Sequence, residues 1–302
     1  SIKNIKPKTV FIACDGPSKN NPLEVEKVKE TRDLIKRSIN WECNLKLRYS
    51  DVNQGCKLGA TNAVSWFFEN IEEGIILEDD TVPHKDFFYF CQNLLEKYRY
   101  DERIWSITGT NFMESVSKSK YGYFFGRYPA LWGWASWRRV WNKYDVNISF
   151  WPEISSNKIT KDLFNDDLER EYWESVWDEI YYKNKPDTWC YQWTLCSLIN
   201  NGLNIYPKVN LIKNIGFGED ATHTLLDKEP IPFGKGLKNI KHPTFTVINQ
   251  KADKYYINES LNLKKYRFFG GKYFMKFSRN IFILNLKLYL IKIKNNFKKN
   301  LI

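Results

Sequence analysis

The first 80 residues predict an α/β fold, and three observations carry that expectation. Apolar runs and amphipathic stretches alternate as strand, helix, strand, helix, strand, the layout of a nucleotide-binding domain. The third apolar run, Ile75-Ile76-Leu77, ends in Glu78-Asp79-Asp80, and the carboxyl ends of strands are where ligands gather in open α/β sheets. After residue 259 the chain changes character: residues 260–302 hold eleven Lys or Arg and no Asp or Glu. Residues 1–259 are therefore expected to form the folded domain, and residues 260–302 a basic amphipathic tail.

Thr9 to Cys14 is a continuous apolar run stopped by Asp15-Gly16-Pro17, so it reads as a first parallel strand entering a ligand-facing loop. Residues 22–40 set Leu23, Val25, Val28, Leu34 and Ile35 among charges, the pattern of a helix on a sheet face. Residues 45–49 alternate and read as the second strand. Residues 58–70, with Trp66, Phe67 and Phe68 late, read as a helix leading to the buried strand 75–77. An aromatic helix is expected over 86–98, a strand over 104–108, and a charged amphipathic helix over 162–182. Residues 203–206 read as a late strand, 214–224 as a loop, and 225–259 as an irregular lid or link.

Bulk properties narrow the class. The chain has 302 residues, 43% hydrophobic, with twelve Trp; it is long enough to bury a sizeable core and too apolar to be disordered. Most of the Trp, many of them between Trp132 and Trp193, are expected in the core, and some as platforms for sugar rings. The net charge of +11 belongs to the tail, because the remaining 35 basic residues balance 35 acidic ones. Such asymmetry points to a polyanionic surface. No zinc-finger, RRM-like or helix-turn-helix signature accompanies it, so an anionic membrane is expected and nucleic acid is not. The six cysteines show no CxxC pair, which favours free thiols in a reducing cytoplasm. The polar start carries no signal-peptide pattern, and no apolar stretch reaches 18 residues.

Three consecutive carboxylates repel one another and are costly near a core unless a cation lies among them. Mg²⁺ or Mn²⁺ suits such oxygen ligands, commonly through one or two carboxylates plus substrate phosphates.

Several segments, in order, resemble GT-A-fold glycosyltransferases. They are Phe11-Ile-Ala-Cys-Asp-Gly-Pro17, Thr31-Arg32, Asn53-Gln-Gly-Cys-Lys57, Gly74-Ile-Ile-Leu-Glu-Asp-Asp80 with Pro83 and Phe87-Phe88, Leu131-Trp-Gly-Trp134, Asp187-Thr-Trp-Cys-Tyr-Gln-Trp193, and Asn214-Ile-Gly-Phe-Gly218 with Ala221-Thr-His-Thr224. The pattern is similar to the bacterial hemolytic-protein-like sugar transferases and, more distantly, to the animal Golgi N-acetylglucosaminyltransferase that initiates complex N-glycans. The resemblance spans residues 9–224. It implies a Rossmann-like nucleotide-sugar-binding fold with a mixed central sheet, and a metal-dependent, inverting transfer from a nucleoside-diphosphate sugar, with UDP favoured, to a bacterial surface glycan.

The same resemblance assigns residues. Asp80 would ligate Mn²⁺ or Mg²⁺, Asp79 touch the ribose and Glu78 support both. Cys14 and Asp15 match the nucleobase loop. Gly16 stands where the Golgi enzyme has an Arg, and Arg32 is a candidate substitute. Lys57 would meet the diphosphate, while Trp132, Gly133, Trp134 and Trp189 shape the sugar and acceptor pocket. Thr222 and His223 match a loop that closes over the diphosphate, with His223 a further metal ligand. Cys190 stands where the resembling enzymes have the Asp that takes the acceptor's proton, and a thiol near its reference pKa is a poor base for a hydroxyl. Asp187 is the favoured replacement, with Glu219 and Asp220 as alternatives.

Two other readings stay open: a catalytically degenerate sugar-nucleotide or glycan binder, suggested by Cys190, and a sugar-phosphate nucleotidyltransferase. The second calls for a Gly-rich, Lys/Arg-bearing phosphate loop after the first strand, and Asp15-Gly-Pro-Ser-Lys-Asn20 is a poor version of one. In the tail, Phe277, Ile281, Leu284, Leu288 and Ile291 recur at spacings of four and three, with Asn280, Lys287 and Lys294 on another face. That pattern fits an interfacial helix on the cytoplasmic face of the plasma membrane, beside lipid-linked acceptors. An edge strand and a helix packed on the core are the alternatives.

Overall fold

A computed structural model describes residues 2–19, 21–114, 120–216, 232–234, 236–237 and 239–264. Glu219, Asp220, Thr222, His223 and the tail after Lys264 lie outside the described residues. The chain divides into two compact units, Ser1–Val146 with Asp187–Lys254, and Asn147–Pro186 with the chain from Tyr255. The change of charge at residue 259/260 does not coincide with any of these divisions.

In chain order the elements are α1 (Ile2–Ile5), β1 (Thr9–Cys14), α2 (Pro22–Ser38), β2 (Asn44–Tyr49), α3 (Gly55–Asn70), β3 (Glu73–Ile76), β4 (Thr81–Pro83), α4 (Lys85–Lys97), β5 (Ile104–Thr108), β6 (Tyr123–Gly126), β7 (Trp134–Trp137), α5 (Arg138–Trp141), α6 (Trp151–Ser156), α7 (Thr160–Leu163), α8 (Asp167–Lys183), α9 (Cys190–Ile199), β8 (Leu203–Pro207), β9 (Ile212–Asn214) and α10 (Gln250–Tyr255). A π-helical turn follows over Tyr256–Ser260. The fold is mixed α/β.

The central sheet of the first unit has five strands in the order β3-β7-β5-β8-β6. It is mixed: β5 and β8 run parallel, and the other neighbours are antiparallel. β1 and β2 pair in parallel, as expected, with Thr9 opposite Asn44 and Cys14 opposite Tyr49. β3 does not join that pair across the gap; it pairs with β7, Ile76 opposite Trp134. The ring of Phe67 on α3 touches both sides of this gap. It meets Phe11 edge-on at 5.0–5.2 Å, with Trp66, and lies so close to Gly74 that a Cβ there would come within 2.3 Å of it.

Local signals set the helix ends. Asn21 caps α2 by accepting from Glu24 N, with Pro22 in the first turn, where a missing N–H costs nothing. Asp166 caps α8 the same way, so that helix starts at Asp167, later than residue 162, and stops at a left-handed Asn184. Trp105, Trp134, Trp137 and Trp193 are fully buried in the first unit, in line with the core reading for most of the tryptophans. In the second unit Trp173 stacks on Trp177 at 5.3 Å, and Trp151 packs against Trp177 while donating its indole N–H to Asp178.

The described part of residues 225–259 is a strap, not a lid or loose link. Gly234 N donates to Asn210 O, Leu237 N to Asp86 Oδ2, Gly122 N to Lys241 O and Asn249 N to Phe125 O. Asp253 closes the run by accepting from Arg127 N through both oxygens, at 3.1 and 3.3 Å. The strap's polar backbone is spent on the body, which fixes it in place. All six cysteines are free thiols. Among the described residues, no helix is long and apolar enough to cross a membrane.

Candidate active site

The three acids occupy a tight turn joining β3 to β4. Thr81 holds it: its hydroxyl donates to Glu78 O at 2.7 Å and accepts from Glu78 N at 3.1 Å, and Thr81 N donates to Glu78 O. The antiparallel pair β4–β9 then brings Asn214 opposite Thr81. Asn214 Nδ2 donates to Asp80 Oδ2 at 3.0 Å, and Ile215 N donates to Asp80 O at 2.8 Å. Gly216 is required by this contact, since a Cβ there would sit 2.6 Å from Asp80 Oδ2. Asp80 Oδ1 is buried with no hydrogen-bond partner among the described residues.

Electrostatics at the turn are one-sided. Burial, then the charges of Asp80 and Asp79, push the Glu78 carboxyl up to about 7, against a hydrogen bond from the Trp189 side chain. Burial also raises Asp80; the Asn214 hydrogen bond opposes this and Asp79 adds to it. A divalent cation would reverse the sign of this environment. The residues fit such an ion in a limited way. Asp80 Oδ1 is a buried acceptor without a partner among the described residues, yet those residues contain no set of three His, Cys, Asp or Glu side chains able to hold a metal alone. An ion here would draw its other ligands from a substrate, the usual habit of Mg²⁺ with phosphates.

Around the acids converge the end of β1 and the first turns of α3 and α9. Cys14 is raised by burial, with Arg32 opposing and Asp79 adding. Cys56, the second residue of α3, is pushed up to about 12 by burial, then by Cys190, Glu78 and Asp187. The Cys190 thiol is raised by burial and further by Glu78, with a hydrogen bond from Thr188, 3.1 Å away, working against the shift. The shift favours the protonated thiol.

Asp187 has a structural duty that the sequence did not reveal. Its Oδ2 accepts from Cys56 N at 2.8 Å and its Oδ1 from Lys57 N at 3.1 Å, which caps α3 from 131 residues away. Gln54, the residue at the cap position, makes no side-chain cap bond, and Gly55 takes φ +76° within 2.5 Å of the Asp187 carboxylate for any added Cβ. Lys57 lies on the buried face of α3, its pKa lowered by burial and supported by Asp187 and Asp145. It is therefore not the exposed lysine that a surface helix would carry.

Asp15 and Arg32 fasten the neighbouring loops. The Asp15 carboxylate accepts from Gln54 N at 2.9–3.0 Å and from Gly16 N at 2.8 Å. Arg32 Nη2 donates to Asp15 O and Ser50 O at 3.0 and 2.6 Å, and its guanidinium lies 4.7 Å from the centre of the Tyr49 ring. A cavity of about 360 Å³ opens beside it, lined in part by Val28, Lys29, Tyr49 and Asp51. Arg32 Nε and the Tyr49 hydroxyl are buried without hydrogen-bond partners among the described residues. Tyr49 and Asp51 went unnoticed in the sequence. Their position at the end of a parallel strand was the available signal.

The aromatic segment divides by burial. Trp134 is fully buried and stacks on Trp189 at 5.6 Å, with Trp193 and Trp141 completing the cluster. Both Trp134 and Trp189 are core rings rather than open platforms, although Trp189 also reaches Glu78. Gly133, at φ +61°, is needed for close packing: an added Cβ would meet Ile212 at 2.4 Å and Leu77 at 3.4 Å, beneath the acidic turn. Trp132 remains half-exposed, edge-on to Phe112 at 5.2 Å. No family model matches this chain, and no curated protein does either.

Proposed function

We propose that the protein is a metal-dependent, inverting glycosyltransferase with GT-A architecture. It would move a sugar from a nucleoside-diphosphate sugar, in the favoured case a UDP-sugar, to a hydroxyl of a bacterial surface glycan. The observation that carries this reading is Asp80, whose Oδ1 is buried without a protein partner in a turn of three carboxylates. A bound Mn²⁺ or Mg²⁺ would neutralise the charge that grows on the departing nucleoside diphosphate.

In this reading Asp80 holds the ion through Oδ1, and Asn214 and Ile215 hold Asp80. Exposed Asp79 faces the ribose. Arg32 Nε, the Tyr49 hydroxyl and Asp51 supply partners for a nucleobase beside Cys14 and Asp15. Half-exposed Trp132, with Phe112, offers the aromatic edge for a sugar, while Trp134, Trp189 and Gly133 set the floor beneath it. Lys57 adds a buried positive charge at the first turn of α3. Asp187 accepts the proton of the acceptor hydroxyl, and its two N–H contacts to α3 fix the carboxylate's orientation. The basic tail would keep the enzyme on the cytoplasmic face of the membrane, near a lipid-linked acceptor.

The protonated Cys190 thiol favours a second reading, a sugar-nucleotide binder that no longer turns over. A thermal-shift screen of nucleotide sugars with Mn²⁺, followed by hydrolysis and transfer assays on the hits, tests both. The transferase reading expects a metal-dependent shift with one sugar nucleotide and product release. Binding without turnover selects the second reading, and no shift with any donor rejects both.

A further inference from the structure

We infer that the β6 edge of the first unit carries a docking patch for an anionic phospholipid surface, built by the folded body and separate from the C-terminal tail. β6 and β3 are the two edges of the central sheet with three strands between them, a separation of about 19 Å at the usual strand spacing. The patch is therefore distinct from the acidic turn, and it rests on no part of the transferase reading.

Its geometry is set at Gly122. Lys208 N donates to Gly122 O at 2.9 Å and Gly122 N donates to Lys241 O at 2.7 Å, so three chain segments lie side by side with a lysine on each. Lys120 and Lys241 extend their ammonium groups over the Tyr121 ring, at 5.3 and 6.0 Å from its centre. Beside them Tyr98 and Tyr123 share a hydrogen bond of 2.7 Å, and the Tyr123 hydroxyl lies 3.0 Å from His242 Nδ1. Lys97 Nζ stands 5.6 Å from the Tyr98 ring. The His242 imidazole is held below its ordinary value by burial and then by the Lys97 charge, which places Lys97 against the same group.

These lysines have no ion pair among the described residues. Two carboxylates close in sequence to Lys97 are already engaged, Glu96 by Arg99 and Asp101 by Arg103, each at 2.7 Å. A few residues along the same strap, Phe245 is 75% and Val247 69% exposed. Cations with apolar wedges beside them match a bilayer interface, where ammonium groups meet phosphates and the wedges enter the acyl boundary. Nucleic acid is the less suitable partner: the patch uses lysines rather than bidentate arginines, and the wedges would remain in water.

Flotation of the full-length protein with phosphatidylcholine vesicles, with and without phosphatidylglycerol, tests this. Wild type should float only with the anionic vesicles. The triple charge reversal Lys97→Glu, Lys120→Glu, Lys241→Glu should weaken partition about a hundredfold, roughly fivefold per lysine before any added repulsion. Phe245→Ser should weaken it about tenfold, at high salt as well as low. Lys158→Glu, Lys161→Glu, Lys185→Glu makes the same change in net charge elsewhere and should leave binding intact. Circular dichroism checks folding, and Lys→Ser at the three patch positions replaces the reversal if that unfolds. Equal binding by the patch variants, or equal loss in the control, overturns the proposal, because the tail or bulk charge then accounts for binding. Patch-dependent binding of an oligonucleotide without vesicle binding overturns it as well.

Discussion

The two sides of the central sheet bury carboxyl groups under opposite conditions. Beyond β6, Asp253 is buried, but both oxygens accept from Arg127 N; Asn204 accepts from Ser106 and donates to Arg127 O, continuing the chain of bonds inward. Beyond β3, Asp80 has one oxygen bonded to Asn214 and the other to no described residue, and Glu78 faces two further acids. Burial raises both groups, Asp253 to about 6 and Glu78 to about 7. Burial alone therefore does not mark a functional site. The difference lies in whether the protein supplies the partners, and at β3 it leaves one to come from outside.

The largest effect that would sharpen this contrast is in stability. Glu78 has a folded-state pKa raised above its unfolded value near 4.5, so its contribution is fully present below pH 4.5 and lost as pH rises through about 7. At 1.36 kcal/mol per unit this is up to about 3 kcal/mol. In chelator, Glu78→Gln should therefore match wild type near pH 4 and be more stable near pH 8. Denaturant melts across that range check it; parallel pH profiles would mean that Glu78 is not strained in the metal-free protein.

Asp187→Asn comes next. Its amide nitrogen cannot accept from Lys57 or Cys56, so the α3 cap should weaken by about 1 kcal/mol, and turnover should fall by ~10²-fold or more if Asp187 takes the acceptor's proton. A lower melting temperature with unchanged turnover would reduce Asp187 to a cap.

Asp253→Ala should cost roughly 2 kcal/mol by removing the buried carboxylate that accepts from Arg127 N, without changing nucleotide affinity. Altered affinity, measured by titration, would break the contrast between the two sides. The smallest expected effect is at Cys190. Cys190→Asp places a carboxylate at the first turn of α9 and should raise turnover about tenfold, with donor affinity nearly unchanged, because a base acts in the transition state.

Much of this was legible in the sequence where a signal is local. The run ending at Cys14, the alternation at residues 45–49 and the acids after Leu77 each mark an element or its end. β6 and β7 were not legible. Tyr123–Gly126 and Trp134–Trp137 are buried at every position, and four-residue runs without alternation are indistinguishable from pieces of a buried helix. Missing β7 also hid the partner of β3. The reach of Asp187 to α3 spans 131 residues, and no pattern in either segment announces it. Trp134 and Trp132 stand two residues apart in one motif, and only the packing of β7 assigns one to the core and the other to the surface.

Calorimetric titration of UDP into the protein, with and without Mn²⁺, tests the central claim most directly. Wild type should bind UDP in a metal-dependent manner, and Asp80→Ala should lose the metal-dependent part while melting at or above the wild-type temperature, since it removes a strained buried carboxylate. If wild type shows no metal-dependent binding, or if Asp80→Ala binds UDP and Mn²⁺ as wild type does, the orphaned oxygen at β3 is not a metal ligand and the transferase account fails.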